Sequence, residues 1–430
     1  MTPSARLAAA IDLLSEMEAA PRRPADAVAN AFFRERRYIG GGDRRAVSDR
    51  VWAVLRHWRH LGWWLERVGA PASPRARLIA AMQVMPRPGE VPAALFSGDR
   101  YGAAPLTAAE QDLAARLRGQ SLDSPEMPQA VRLEVPDWLL PGLADMFGTT
   151  LEAEIAALGG EAPLDLRVNL LKTTRREAAR LLAEGGIDAE ETTLSPWGLR
   201  VPGRQPVTAT AAFKAGLVEI QDEGSQIVVA AADARPGMRV LDYCAGAAGK
   251  TLGMAMTMQN RGHIVACDVS EPRLDGAVRR LRRAGVHNAE RHLLVPGDRW
   301  ARRRAGSFDR VLVDAPCTGT GTWRRNPDAR LRLSERDLEE LTAKQGEILS
   351  TAATLVRPGG RLIYATCSVL REENQDRIAT FLAASPHYRL ARPAPDCGLP
   401  PDLARDGMIA LSPLRHGTDG FFAAVLERVD

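Results

Sequence analysis

The chain has 430 residues, 45% of them hydrophobic and 26% charged, with 57 Lys+Arg against 53 Asp+Glu. That length accommodates roughly two or three domains and a large core. No run approaches the roughly 20 apolar residues of a membrane span, and the N-terminal MTPSARLAAAIDLLSEM places acids inside its apolar pattern, unlike a signal peptide, so a cytoplasmic, monomeric protein without a membrane partner is expected.

The five cysteines, Cys244, Cys267, Cys317, Cys367 and Cys397, lie far apart with no Cys-x-x-Cys spacing, which argues against a disulfide scaffold and a zinc knuckle. His57 and His60 have no evident third ligand and share their helix with several tryptophans, so no metal is expected. The net charge of +4 is small, but arginine is unevenly placed. It is dense from Arg22 to Arg59 and runs in Arg279-Arg280, Arg282-Arg283, Arg302-Arg303-Arg304 and Arg324-Arg325, a pattern suited to neutralising RNA phosphates or, more plainly, to solvated helix faces.

In chain order, residues 1 to about 145 read as helical. Val47, Val51, Val54, Trp58, Leu61, Leu65 and Val68 recur at steps of four and three, one stripe of an amphipathic helix, and another helix spans Thr107 to Leu117. From about 160 to 222 the pattern is mixed. Leu164 to Asn169 reads as a strand, Thr174 to Glu177 as a capping box opening a helix that stops at Gly185-Gly186, and Gly198 to Val201 and Leu217 to Gln221 as short strands. Ser225 is expected to cap the next helix, which runs to Ala234. From Pro236, strands at Arg239 to Asp242, His263 to Asp268, Phe308 to Asp314 and Arg361 to Thr366 alternate with helical patterns, which predicts a doubly wound, Rossmann-like parallel sheet. A long helix covers Ser334 to Leu355, and Asp419 to Glu427 reads as a last, antiparallel strand at the sheet's end.

Ligands of such sheets bind beyond the carboxyl ends of the strands. Two strands end in thiols there: Val311-Leu312-Val313 leads to Asp314, Pro316 and Cys317, and Leu362-Ile363-Tyr364 leads to Thr366, Cys367 and Ser368. Glu372 and Glu373 suggest a helix starting just after Cys367, where its N-terminus would favour a thiolate. The first strand enters the small-residue loop Asp242, Tyr243, Cys244, Ala245, Gly246, Ala247, Ala248, Gly249, Lys250, Thr251, which leads to a helix. A phosphate-binding G-x-x-x-x-G-K-[ST] loop is met at Gly249-Lys250-Thr251 but fails where Cys244 stands, and G-x-G-x-x-G is absent. A nucleoside cofactor whose hydroxyls are held by Asp268 fits better, with Asp298 a further acid after the third strand. S-adenosylmethionine, which has a ribose and a carboxylate but no phosphate, meets that description.

The loop DYCAGAAGKT, the stretch Asp314 to Gly321 (DAPCTGTG), Thr366-Cys367-Ser368 and Asp419-Gly-Phe-Phe422 together resemble the motifs of the RsmB/Sun-type family of RNA (cytosine-5) methyltransferases. The LRVN and VEIQDEGS segments and a NusB-like helical N-terminus extend the likeness over most of the chain. The resemblance implies a NusB-like RNA-binding domain over 1–145, a small α/β RNA-binding subdomain over 160–222 and a methyltransferase domain over 223–430. It also implies that Cys367 attacks C6 of a cytosine, Cys317 assists release and Asp314 engages the base edge. Cys244 to Lys250, Asp268, Asp298 and Asp314 would line the S-adenosylmethionine site, and the substrate would be small-subunit ribosomal RNA first and transfer RNA second. Ala247 and Ala248 depart from the family's Pro and Gly. A loop of this kind also leaves an NTPase, or an RNA-binding relative with weakened catalysis, as alternatives.

Overall fold

The computed structural model describes residues 1–203 and 205–429. It divides into two compact units, one built of Met1–Gly159 with Trp323–Glu335, the other of Gly160–Thr322 with Arg336–Asp430. Among the described residues, no helix is long and apolar enough to cross a membrane.

The first unit is helical. α1 (Pro3–Ala19), α2 (Ala25–Glu35), α3 (Gly41–Arg56), α4 (Trp58–Arg67) and α5 (Pro74–Val84) bury Leu7, Leu14, Phe32, Val51, Leu61, Leu65 and Leu78 in one core. The stripe read from the sequence as one helix is two. His57 leaves helical geometry at φ −120°, ψ 33°, and the carboxylate of Glu134 closes the new N-terminus by accepting the N–H groups of Arg59 at 3.0 Å and His60 at 2.9 Å. The apolar spacing survives because a break of one residue barely rotates the stripe, so Val47, Val51, Val54, Leu61 and Leu65 all remain buried.

The expectation that no third ligand lies near His57 and His60 is corrected, since one candidate atom from each and one from Glu134 lie within 4.8 Å of one another. The arrangement is nonetheless a poor host for a cation. Glu134 already accepts two amides, and one of its oxygens lies 2.7 Å from His60 Nδ1. Arg56 and Arg330 add positive charge around His57.

The unit is completed from far along the chain. Trp323 is fully buried and Leu331 packs on the helical core. Asp328 accepts the N–H of Ala25 at 3.0 Å, Arg56 donates to the carbonyl of Arg324 at 2.8 Å, and Arg330 donates to that of Arg56 at 2.8 Å.

The second unit holds two sheets. β1 (Leu164–Val168), β2 (Glu190–Glu191), β3 (Gly198–Val201) and β4 (Val218–Ile220) form an antiparallel sheet in the order β2-β3-β1-β4. Its helix Arg175–Glu184 is capped by half of the expected box. Thr174 accepts the Glu177 N–H at 3.2 Å, while the Glu177 carboxylate pairs with Arg180.

The larger sheet is built from β5 (Arg239–Asp242), β6 (His263–Asp268), β7 (Ala289–Leu293), β8 (Phe308–Asp314), β9 (Val356–Thr366), β10 (Tyr388–Leu390), β11 (Ala404–Arg405), β12 (Met408–Ala410) and β13 (Phe422–Arg428). Its order is β11-β12-β13-β9-β8-β5-β6-β7, with β10 also on β13. The run from β9 to β7 is parallel, the doubly wound α/β architecture; its inner strands β5, β6 and β8 bury apolar residues on both faces, whereas the edge strand β7 is polar and largely exposed.

Two expectations are corrected in this unit. β13 is antiparallel as read, but it lies inside the sheet between β12 and β9, which its continuous burial from Phe422 to Leu426 requires. The helix Glu223–Ala232 is capped by Asp222, which accepts the Gly224 N–H at 2.7 Å, whereas Ser225 sits inside it.

Candidate functional site

Register builds the site. β8 and β9 are parallel neighbours with Asp314 opposite Ala365, so the segments beyond them leave the same edge. Their thiols meet, with Cys317 Sγ 3.5 Å from Cys367 Sγ. The contact with Cys367, together with burial, pushes the Cys317 thiol well above its ordinary range. The helix expected directly after Cys367 starts only at Gln375; the intervening residues form a buried loop and a short turn at Arg371–Glu373. The Cys317 loop also meets the turn that precedes β13, and the two approach through glycines. Gly420 donates to the Gly321 carbonyl at 2.8 Å, and a Cβ on Gly321 would lie 1.9 Å from the Gly420 oxygen, so a side chain there would part the loops.

Asp314, at the end of β8, takes the Lys250 ammonium on Oδ2 at 2.6 Å. Burial alone would lower the Lys250 pKa, but the charge and hydrogen bond of Asp314, with Cys367 and Asp242 behind, leave it above its usual value. Lys250 also faces the Phe421 ring at 5.4 Å. An ammonium engaged in this way is not presented to a triphosphate, which counts against the NTPase alternative.

The loop after β5 is a tight cradle. The Ala245 N–H bonds the Cys267 carbonyl at 2.8 Å, and the Gly246 N–H, at φ +54°, bonds Asp268 Oδ2 at 2.8 Å. The Ala247 carbonyl accepts from Arg280 at 2.6 Å, Ala248 is fully buried at φ +63°, and Gly249 opens the helix Gly249–Thr257. Cys244 is held as a thiol by burial and by the nearby charge of Asp314. Asp242 gives Oδ2 to the Thr251 hydroxyl at 2.6 Å, while its buried Oδ1 has no hydrogen-bond partner among the described residues. Burial, with Asp314 adding to it, raises its pKa to about 7.

Asp268 stands at the end of β6 with Oδ1 accepting the Ser270 N–H at 2.8 Å. Asp298 follows β7 and is exposed, 2.7 Å from His292 Nε2 and 2.7 Å from the Trp300 N–H. The structure therefore gathers Cys317, Cys367, Asp314 and Lys250 into one cluster and the loop with Asp268 into another, linked by Lys250. The bonds of Asp298 go to its own segment. A left-handed turn, an orphaned carboxylate oxygen and an acid on the next strand together fit a nucleoside-type cofactor such as S-adenosylmethionine.

Several contributors escape a sequence reading. Arg167, buried on β1, donates to Gln221 and, at 2.8 Å, to the Gly249 carbonyl, tying the small sheet to the cofactor loop; burial lowers its pKa to about 10. Glu373 and Gln345 lie fully buried beneath the thiols. Gln345 leaves a signal in the sequence, a polar residue where the pattern of its helix demands an apolar one, and Glu373 leaves none. The arginine runs are divided in use. Arg280 and Arg283 pair with Glu219 and Arg324 is buried, whereas Arg279, Arg282, Arg302 and Arg303 stay exposed.

Comparison with known proteins agrees with this geometry. A family model described as 16S rRNA methyltransferase RsmB/F matches residues 229–427, and one described as an RsmF/B-like, ferredoxin-like domain matches residues 135–208. The Ribosomal RNA small subunit methyltransferase B of Citrobacter koseri is 35% identical over 294 residues, covering 68% of this chain and 66% of that protein. The Probable ribosomal RNA small subunit methyltransferase B of Bacillus subtilis is 31% identical over 322 residues, covering 72% of this chain and 69% of that protein. The match thus spans about two thirds of the length of these curated relatives. Among solved structures, PH0851 aligns with a TM-score of 0.81 at 27% identity, covering 100% of this chain and 99% of that one. A methyltransferase homologue from Pyrococcus horikoshii aligns with a TM-score of 0.61 at 28% identity, covering 71% of this chain and 100% of that one. The chain belongs to the RsmB/F family of 16S rRNA methyltransferases.

Proposed function

We propose that the chain methylates C5 of a cytosine in small-subunit ribosomal RNA through a covalent bond between Cys367 and C6 of the base. The observation that carries this reading is the pair of thiols 3.5 Å apart beside the Lys250–Asp314 ion pair. S-adenosylmethionine is the cofactor of the family and supplies an electrophilic methyl group on a sulfonium. Cys244 to Lys250 with Asp268 would hold it, and Asp298 stands at the end of the neighbouring strand.

C5 of cytosine is a weak nucleophile. Addition of the Cys367 thiolate to C6 forms an S–C bond and moves the C5=C6 electron pair, so that C5 acquires enamine character. Asp314, fixed on one oxygen by Lys250, sits where it can hydrogen-bond the N3/N4 edge and stabilise the charge that develops there. At the second stage a water molecule takes the C5 proton, the C5–H electron pair re-forms C5=C6 and the S–C6 pair returns to the Cys367 sulfur. The Cys317 thiol, kept protonated by its surroundings 3.5 Å away, assists by hydrogen bonding to that sulfur. Presenting C6 to a thiol requires an unstacked nucleotide, at a cost of a few kcal/mol. Contacts from exposed arginines to neighbouring phosphates offset that cost.

The test is incubation of the protein with small-subunit RNA and S-adenosylmethionine, followed by mass spectrometry of the nucleosides. We expect 5-methylcytidine from the wild type and neither product nor denaturant-resistant RNA adduct from Cys367→Ala. Cys317→Ala should accumulate the adduct. Methylation at another atom, or an adduct trapped by Cys367→Ala and lost in Cys317→Ala, overturns the assignment.

A further inference from the structure

Each cysteine is flanked by residues that are tied to one of two consecutive side chains. Glu373 is fully buried. Its Oε1 accepts the Thr318 N–H at 2.9 Å and Gln345 Nε2 at 2.9 Å, and its Oε2 accepts the Thr318 hydroxyl at 2.5 Å. The same Gln345 Nε2 donates to the Pro316 carbonyl at 3.0 Å. The residues on both sides of Cys317 thus hang on one carboxylate and one amide. Asn374 does the same for the other thiol, since its Oδ1 accepts the Thr366 hydroxyl at 2.6 Å and its Nδ2 donates to the Ser368 carbonyl at 2.9 Å. The pair is pinned in turn by the Tyr364 hydroxyl, which donates to the Glu373 carbonyl at 2.7 Å.

Burying a carboxyl group is unfavourable unless its hydrogen bonds are satisfied, and here both oxygens are, by the residue after Cys317 and by Gln345. We propose that Glu373 and Asn374 are positioning residues that set the two thiols against each other, Glu373 fixing the Cys317 loop and Asn374 the Cys367 loop. The link to catalysis rests on the roles proposed above for the two cysteines, whereas the spacing itself does not.

The variants Glu373→Gln and Asn374→Asp keep shape and reverse one hydrogen-bonding atom. The first sets an NH2 against a donor on Thr318 or Gln345, and the second sets an oxygen against the Ser368 carbonyl. Both are tested as the full chain, with melting temperature recorded. The first readout is independent of RNA. Diamide oxidises two thiols to a disulfide, the S–H bonds being replaced by one S–S bond while the diazene takes up both hydrogens as a hydrazine. Peptide mass spectrometry gives the rate at which Cys317 and Cys367 are joined. We expect that rate to fall at least tenfold in each variant.

The second readout is the RNA adduct in the presence of S-adenosylmethionine. Glu373→Gln should accumulate it while turnover falls about tenfold, and Asn374→Asp should form it about tenfold more slowly. Joining at the wild-type rate in both variants overturns the proposal. So does an equal loss of attack and release that merely follows the melting temperature. Slower joining without the split in adduct behaviour sustains the positioning role and overturns instead the assignment of attack to Cys367 and release to Cys317.

Discussion

At Ala248 three small effects meet. A left-handed conformation costs an L-residue about 1–2 kcal/mol, and Ala248 holds φ +63° where the family carries glycine. Its methyl is fully buried against Leu252, Ala277 and Leu281, which contributes about 0.8 kcal/mol. Glycine would add about 0.5–1 kcal/mol of unfolded-state entropy. These nearly cancel, so Ala248→Gly should change the unfolding free energy by less than about 1 kcal/mol, whereas Ala248→Val, β-branched in the same turn, should lose about 3 kcal/mol or more. Urea unfolding of the three proteins checks this, and a gain for glycine well beyond 1 kcal/mol would mean that the methyl is not packed as described. At this scale the gathering of the site was legible in the sequence wherever a reactive residue follows an apolar strand, as Asp314, Cys317 and Cys367 do. Glu373 was not legible, because its role depends on Thr318 and Gln345, and no local pattern announces that a carboxylate points inward.

Among elements, the break between α3 and α4 ties pH to stability. His57, at the break, has its pKa lowered to about 4, chiefly by burial, with Arg330 and Arg56 contributing and Glu134 opposing. The unfolded chain therefore takes up the proton first as pH falls. The stability that His57 contributes is complete above the unfolded value near 6.5 and is lost as pH drops through about 4. Its size is on the order of 3 kcal/mol. His57→Gln should flatten the decline in unfolding free energy between pH 7 and pH 4, and a decline as steep as the wild type's would exclude His57 as its source. The helical character of the first unit and the four apolar parallel strands were readable because their periodicities are local, whereas β7, AERHL, was not read because it has no apolar run. The break was not, since its cap, Glu134, arrives from a distant segment, and neither was the interior place of β13, which depends on pairing with β9 and β12.

For the molecule as a whole, a net charge of +4 is too small to hold RNA by itself, so the proposed RNA binding depends on where the arginines are placed. Arg22, Arg23, Arg34 and Arg37 of the helical unit are exposed. Replacing all four by serine should leave the melting temperature unchanged and reduce the salt slope of RNA binding by about 0.7–0.9 for each phosphate that is no longer neutralised. An unchanged slope would assign this surface to another task. Cutting the unit off is a poorer test, because Leu331 would lose the core on which it packs and Trp323–Glu335 the unit to which it belongs. That long return of the chain also sets a clock on the ribosome. With synthesis at about 5–20 residues per second, the helices ending at Gly159 wait on the order of ten seconds before Trp323–Glu335 emerges to complete their unit. During that interval the nascent N-terminal unit lacks the segment that carries Leu331 onto its core, a window in which a paused ribosome would leave the unit half built.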